Sequence, residues 1–113
     1  MKEKYPLLSA DDEGVWCQHS PTPATRIGIR WSEILAVSAY KLDCVTEIDT
    51  VVTLDFEFGE YLELSSSFPG FEPVLSVIAT KIPLQSDWRG RMAALSPEDP
   101  PVLLWRIDAL GEP

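Results

Sequence analysis

Apolar and polar side chains alternate along much of the chain, and this two-residue period predicts β-strands. The clearest early example begins at Arg26, where Ile27, Ile29 and Trp31 share one face and two arginines and a glycine share the other. Alternation of this kind is typical of a strand with one buried face. Runs rich in β-branched and aromatic residues, bounded by turn-forming residues, predict three further strands at residues 15–19, 34–40 and 102–107.

The strongest strand signal lies in the middle of the chain and predicts a β-hairpin. Residues 51–58 alternate strictly, the chain turns at residues 59–60, and residues 61–65 return with two leucines on the matching face. The apolar face of the first strand of this hairpin consists of Val52, Leu54, Phe56 and Phe58.

The apolar faces of this hairpin stay together only in certain registers. A hairpin loop with an odd number of residues sets Phe58 opposite Leu62, whereas a two-residue loop would set apolar residues opposite acids. We therefore expect a loop of three or five residues. The same register places Glu57 opposite Glu63, a like-charge pair that costs a few tenths of a kcal/mol, on the order of other cross-strand pairs.

Residues 74–82 change to a helical period. Pro73 suits the first turn of a helix, since its missing N–H would have no intrahelical partner there, and Pro83 ends the helix at Ile82. Three turns are too short to be stable alone, so this helix must pack on the sheet. Its apolar stripe consists of Val74, Leu75, Ile78 and Ile82.

The order of elements predicts one antiparallel α+β domain. Residues 1–13 mix charges with Pro6 and lack a clear period, so we expect a loosely ordered segment, with order beginning near Gly14. Residues 14–113 have the length of a single domain. Several strands followed by a helix, without strand–helix alternation, indicate an antiparallel sheet packed with one helix in the C-terminal half.

Negative charge is concentrated in the middle of the chain. The 113 residues include 9 Lys and Arg against 18 Asp and Glu, a net charge of −9. Residues 42–80 contain no Lys or Arg and supply −8 of this charge, which argues against nucleic acid or anionic lipid as partners. No apolar run approaches the roughly 20 residues of a membrane span, and no secretory signal is visible. We expect a cytoplasmic protein that does not contact membranes.

Acids on the predicted hairpin are the candidate partner-binding residues. They alternate outward on a strand, where water keeps them ionised, and a patch without bases attracts a basic protein surface. The alternative is a solvated strand face that resists edge-to-edge aggregation. A metal site is not expected, because the glycine-centred loop and ligand order of a calcium-binding hand are missing. The four candidates are Asp55, Glu57, Glu60 and Glu63.

The sequence contains few residues suited to catalysis. Cys17 and His19 lie two positions apart and could pair on one face of a strand, but nothing nearby would lower the thiol pKa. We interpret His19 as a partly exposed strand residue. Cys17 and Cys44 are expected to be reduced, largely buried thiols, since no signal peptide is visible. We therefore expect a protein that is not an enzyme and takes no cofactor.

A set of short motifs extends over most of the predicted domain. They are Ile29-x-Trp31-Ser32-Glu33-Ile34-x-x-Val37-x-Ala39-Tyr40-Lys41-Leu42-Asp43, Gly70-Phe71, Lys81-Ile82-Pro83, Trp88 and Leu104-Trp105-Arg106. Together they resemble small bacterial proteins with a pleckstrin-homology-like fold, over about residues 14–107.

This resemblance implies a strongly bent antiparallel sheet closed by one helix, and it carries over no catalytic residue. Two features depart from it. The acidic hairpin is unlike the basic pocket with which some pleckstrin-homology domains bind phosphoinositides, and the chain continues for 30 residues past Pro83, where such a core usually ends with its helix. Some proteins of this size and acidity are immunity proteins, which neutralise a toxin made by the same cell.

Two functional hypotheses follow. The first is a non-enzymatic binding module, of the immunity type or otherwise, that meets a basic protein partner through the acidic hairpin. The second is a structural domain that self-associates by pairing an exposed strand, either residues 15–19 or residues 102–107, with its own copy.

Overall fold

The computed structural model describes residues 6–22 and 26–107, apart from the side chain of Phe58. These residues form two antiparallel sheets and two α-helices. The strands are β1 (Leu7–Ala10), β2 (Gly14–Gln18), β3 (Arg26–Arg30), β4 (Ala36–Asp43), β5 (Ile48–Asp55), β6 (Tyr61–Ser65) and β7 (Val102–Arg106), and the helices are α1 (Phe71–Lys81) and α2 (Trp88–Ala93).

The strands divide into a three-stranded sheet, in the order β1-β2-β3, and a four-stranded sheet, in the order β6-β5-β4-β7. A short 3-10 turn at Trp31–Glu33 joins the two sheets. The predicted antiparallel α+β class is confirmed. The prediction of one sheet and one helix is wrong, because the strands form two sheets and a second helix follows α1.

Strand β1 lies inside residues 1–13, where we expected a loosely ordered segment. Leu8 is buried, and its backbone N–H donates to the carbonyl of Pro69 at 2.9 Å. The acidic run that follows is a turn, because the Asp11 carboxylate accepts the backbone N–H groups of Glu13 at 2.8 Å and Gly14 at 3.0 Å. The strand has one buried residue and therefore no hydrophobic period in the sequence. It forms through its contacts with other segments of the chain.

The core lies between the sheets and α1. It is a single cluster of apolar side chains, and no charged or polar side chain is fully buried within the described residues. The two sheets and α1 each contribute to it. The largest of its fully buried side chains are Ile29, Ile34, Leu54, Leu64, Leu75, Ile78 and Leu104.

The β5–β6 hairpin confirms the predicted odd loop length but not the predicted pairing. Five residues, 56–60, connect the strands, and Leu62 lies opposite Leu54 rather than Phe58. Glu63 therefore lies opposite Thr53, and the expected repulsion with Glu57 does not arise. Glu57 does not lie on the strand but in a 3-10 turn that follows it. This register pairs leucine with leucine, so the buried face of the hairpin stays continuously apolar. The predicted register would have kept the same continuity with other partners.

Helix α1 confirms the prediction from the apolar period, and it begins at Phe71, so that Pro73 lies in its first turn as predicted. Its last residue is Lys81, and Pro83 follows at once. Helix α2 was not predicted, because its six residues contain one buried side chain, Met92, and thus no apolar stripe. No helix in the described ranges is long and apolar enough to cross a lipid bilayer.

Candidate functional site

The acidic hairpin, which we define as Asp55, Glu57, Glu60 and Glu63, lies at and beside the β5–β6 turn. Asp55 ends β5 and is half-buried, whereas the three glutamates are exposed. Glu57 lies in the 3-10 turn, Glu60 directly follows it, and Glu63 lies on β6. The structure therefore places the four predicted residues within one hairpin, with their charged groups at the surface.

None of these carboxylates has a basic partner among the described residues. The ion pairs found there join Arg26 to Asp11 and Lys81 to Asp12, and Arg89 to Glu72, all outside the hairpin. Arg106 is on β7, two strands from Asp55, and makes no ion pair with it within the described chain.

Glu63 is held in place by a tyrosine from a strand two positions away. The Tyr40 hydroxyl donates a hydrogen bond to Glu63 Oε2 at 2.8 Å. Since Tyr40 is on β4 and Glu63 on β6, its side chain reaches across β5. Burial of the ring, and then the Glu63 carboxylate, raise the pKa of Tyr40 to about 12. At neutral pH the tyrosine is a stable donor, so it orients a carboxylate whose second oxygen has no partner among the described residues.

A cleft of about 600 Å³ adjoins β6. Residues of both sheets line it, and no Lys or Arg is among them. Asp49 is fixed there by hydrogen bonds from Ser65 Oγ at 3.1 Å and Cys44 Sγ at 3.7 Å. The cleft thus combines fixed carboxylates with apolar walls. Its lining includes Cys17, His19, Ile27, Asp49, Leu62 and Glu63.

Cys17 and His19 do meet in this cleft, with Sγ and Nε2 3.8 Å apart. Burial raises the pKa of the Cys17 thiol, which is the opposite of what a cysteine nucleophile needs. Partial burial and the neighbouring Asp49 likewise raise the pKa of Cys44. Both cysteines are free, and Cys17 is buried as expected while Cys44 is only half-buried. Within the described ranges no group of three or more His, Cys, Asp or Glu is placed to hold a metal ion.

The two strands proposed for self-association have different positions. Residues 15–19 correspond to β2, which lies between β1 and β3 and has no free edge, so that prediction is wrong. Residues 102–107 correspond to β7, which is an edge strand. The backbone N–H of Gln85 donates to the carbonyl of Leu104 at 3.0 Å and occupies part of this edge.

The sequence pattern missed several exposed apolar residues around the cleft. Ile27 was expected to share a buried face with Ile29, but it is 50% exposed, because it lies on the edge strand β3 and faces the cleft. Tyr61 at the start of β6 is 56% exposed. Alternation alone identifies the face on which a side chain lies and not whether a neighbouring element covers it.

Comparisons with protein-family models, with curated proteins and with solved structures find no match to this chain.

Proposed function

We propose that this protein is a non-enzymatic module that binds a basic protein partner through the acidic hairpin. The observation that supports this function is the set of surface carboxylates on the hairpin that have no basic partner among the described residues. Such a patch speeds encounter with a positively charged surface and disfavours acidic competitors. The lining of the neighbouring cleft, which also lacks Lys and Arg, extends the same electrostatic preference.

The proposal includes a cellular role and a fold family. The role is that of a cytoplasmic, immunity-type inhibitor, whose partner is a basic toxin. The fold is of the pleckstrin-homology-like class, and the antiparallel strands that precede the packed helix α1 support this assignment. If the role is correct, the neighbouring gene encodes a large secreted protein with a C-terminal toxic domain.

Charge reversal on the hairpin tests the contact site. The variant Glu57→Lys/Glu60→Lys changes two exposed residues and leaves the Tyr40–Glu63 hydrogen bond intact. The original chain should capture a basic partner from lysate. We expect the variant to capture at least tenfold less of that partner.

The matched control is Glu13→Lys/Glu98→Lys, which makes the same charge change at exposed positions outside the hairpin. Circular dichroism confirms that both variants are folded. Equal retention of the partner by all three proteins would remove the hairpin as the contact site.

Self-association through β7 is the second candidate, because Leu103 on this edge strand is 42% exposed. Light scattering over a range of concentrations separates the two functions. A monomer at every concentration removes self-association, whereas a stable dimer without a foreign partner weakens the first proposal.

A further inference from the structure

Strand β6 ends the four-stranded sheet, so its outer edge pairs with no other strand of the described residues. Two hydrogen bonds fix which backbone groups point toward this edge: Phe56 N–H donates to Glu60 O at 2.9 Å, and Ser66 N–H donates to Thr50 O at 2.8 Å. In an antiparallel pair, hydrogen-bonded residues alternate with residues whose backbone groups point away. The even-numbered residues of β6 therefore bond to β5. The backbone groups that point outward belong to Tyr61, Glu63 and Ser65.

Among the described residues, one of these outward groups has a backbone partner. The Ser65 carbonyl accepts the N–H of Phe68 at 3.0 Å. Three N–H groups and two carbonyls thus remain open along the edge, in the spacing that an added strand requires.

The other sheet edges in the described chain are less suited to receive a basic strand. Part of the β1 edge is occupied by Pro69, and part of the β7 edge by Gln85. At β3, the edge carries Arg26 and Arg30, and the N–H of Arg30 donates to Glu33 Oε1 at 2.9 Å. Arginines on an edge repel a basic strand, whereas β6 presents Glu63.

The cleft beside β6 has two kinds of wall. Ile27, Leu62 and Phe68 supply apolar surface, and the carboxylates Asp49 and Glu63 are the charged groups that line it. Because side chains alternate between the faces of a strand, a strand added to β6 would direct every second side chain toward the apolar wall. The intervening side chains would lie on the opposite face of β6, beside Glu63, which also lines the cleft.

We propose that an extended, basic segment of the partner binds by adding to β6 as a fifth strand. Its Lys or Arg lies beside Glu63, and its alternate apolar side chains lie on the Leu62 side of the strand, against the apolar wall of the cleft. The inference rests on the proposed function, which supplies the basic partner. A second copy of this chain is a poor occupant, because antiparallel pairing of β6 with itself about Glu63 would set two glutamates opposite each other.

Hydrogen exchange measured by NMR tests strand addition directly. The probe is an acetylated and amidated seven-residue peptide that alternates lysine and valine, with lysine at both ends. On binding, the amides of Tyr61, Glu63 and Ser65 are expected to become at least tenfold more protected. The amides of Leu62 and Leu64, which already bond to β5, should change little.

Two N-methylated peptides are the matched controls. A lysine opposite Glu63 shares its face and directs its own backbone groups toward β6. Methylation of two central lysine amides should therefore reduce affinity at least tenfold, whereas methylation of two valine amides should not. The variant Glu63→Gln should reduce affinity about two- to fivefold, the range of a cross-strand charge pair, and Glu98→Lys should have no effect.

Each other outcome overturns strand addition in a distinct way. If the peptide shifts the resonances of Glu57 and Glu60 without protecting the β6 amides, electrostatic binding at the hairpin survives and the added strand does not. Protection of those amides in the free protein at high concentration would assign the edge to a second copy. No binding of the peptide at millimolar concentration would reject the inference, while the charge-reversal experiment would still decide the proposed function.

Discussion

Val45 lies at the tip of the loop between β4 and β5 in a conformation that β-branched residues rarely adopt. Its φ is 75°, and its side chain is 94% exposed. Hydrogen bonds fix the turn: Val45 N–H donates to Asp43 Oδ1 at 3.0 Å, and Thr46 N–H donates to Cys44 O at 2.8 Å. The left-handed conformation costs an L-residue about 1–2 kcal/mol, and an exposed side chain recovers little of that by burial.

Replacing Val45 with glycine should therefore stabilise the protein. Relief of the left-handed strain outweighs the extra freedom of glycine in the unfolded chain, for a net gain of about 0.5–1 kcal/mol. Thermal denaturation followed by circular dichroism should show a higher Tm. The control is Thr46→Gly, since the φ of Thr46 is not positive, and this variant should lose stability. If Val45→Gly lowers the Tm as Thr46→Gly does, the strain is absent.

At the scale of elements, patterns within short stretches of sequence predicted most strands and α1. The remaining elements, β1 and α2, depend on contacts with other elements. The β-branched run in β5 and the prolines around α1 act over a few residues, so they are visible in the sequence. By contrast, β1 and α2 each bury a single residue of their own, Leu8 and Met92, and depend on their neighbours. Arg89 of α2, for example, pairs with Glu72 of α1 at 3.3 Å.

Gly70 directly precedes α1 and lies against Leu8 of β1, so it should be intolerant of a side chain. Its φ is 91°, and a Cβ at this position would lie 2.2 Å from the carbonyl oxygen of Leu8. Gly70→Ala should cost more than about 2 kcal/mol, because a left-handed residue costs about 1–2 kcal/mol before any steric clash is added. Denaturant unfolding measures the loss.

Gly59 is the matched control for this substitution. Its φ is 77°, but a Cβ there would have nothing within 4 Å. Gly59→Ala should therefore lose only the stability that a left-handed conformation costs an L-residue, about 1–2 kcal/mol. Equal losses for the two alanine variants would mean that the contact between Gly70 and β1 contributes nothing.

At the scale of the whole molecule, the net charge of −9 should destabilise the folded state by self-repulsion. Between about 0.01 M and 1 M salt the screening length falls from about 30 Å to 3 Å, so the Tm should rise with added NaCl. The hairpin variant Glu57→Lys/Glu60→Lys should show a weaker rise. The control Glu13→Lys/Glu98→Lys has the same net charge, so it shows whether repulsion within the hairpin or total charge dominates. A Tm that falls with salt would contradict the expectation.

The chain's own pattern determined the antiparallel α+β class, the period of α1, the odd length of the hairpin loop and the position of the four candidate carboxylates. These properties depend on neighbours along the chain, where spacing and charge are directly readable. The tertiary structure decided the hairpin register, the central position of β2, the free edge of β6 and the cleft that adjoins it. Each of those depends on which distant segment lies alongside, because burial and backbone pairing are shared between elements and neither partner encodes them alone.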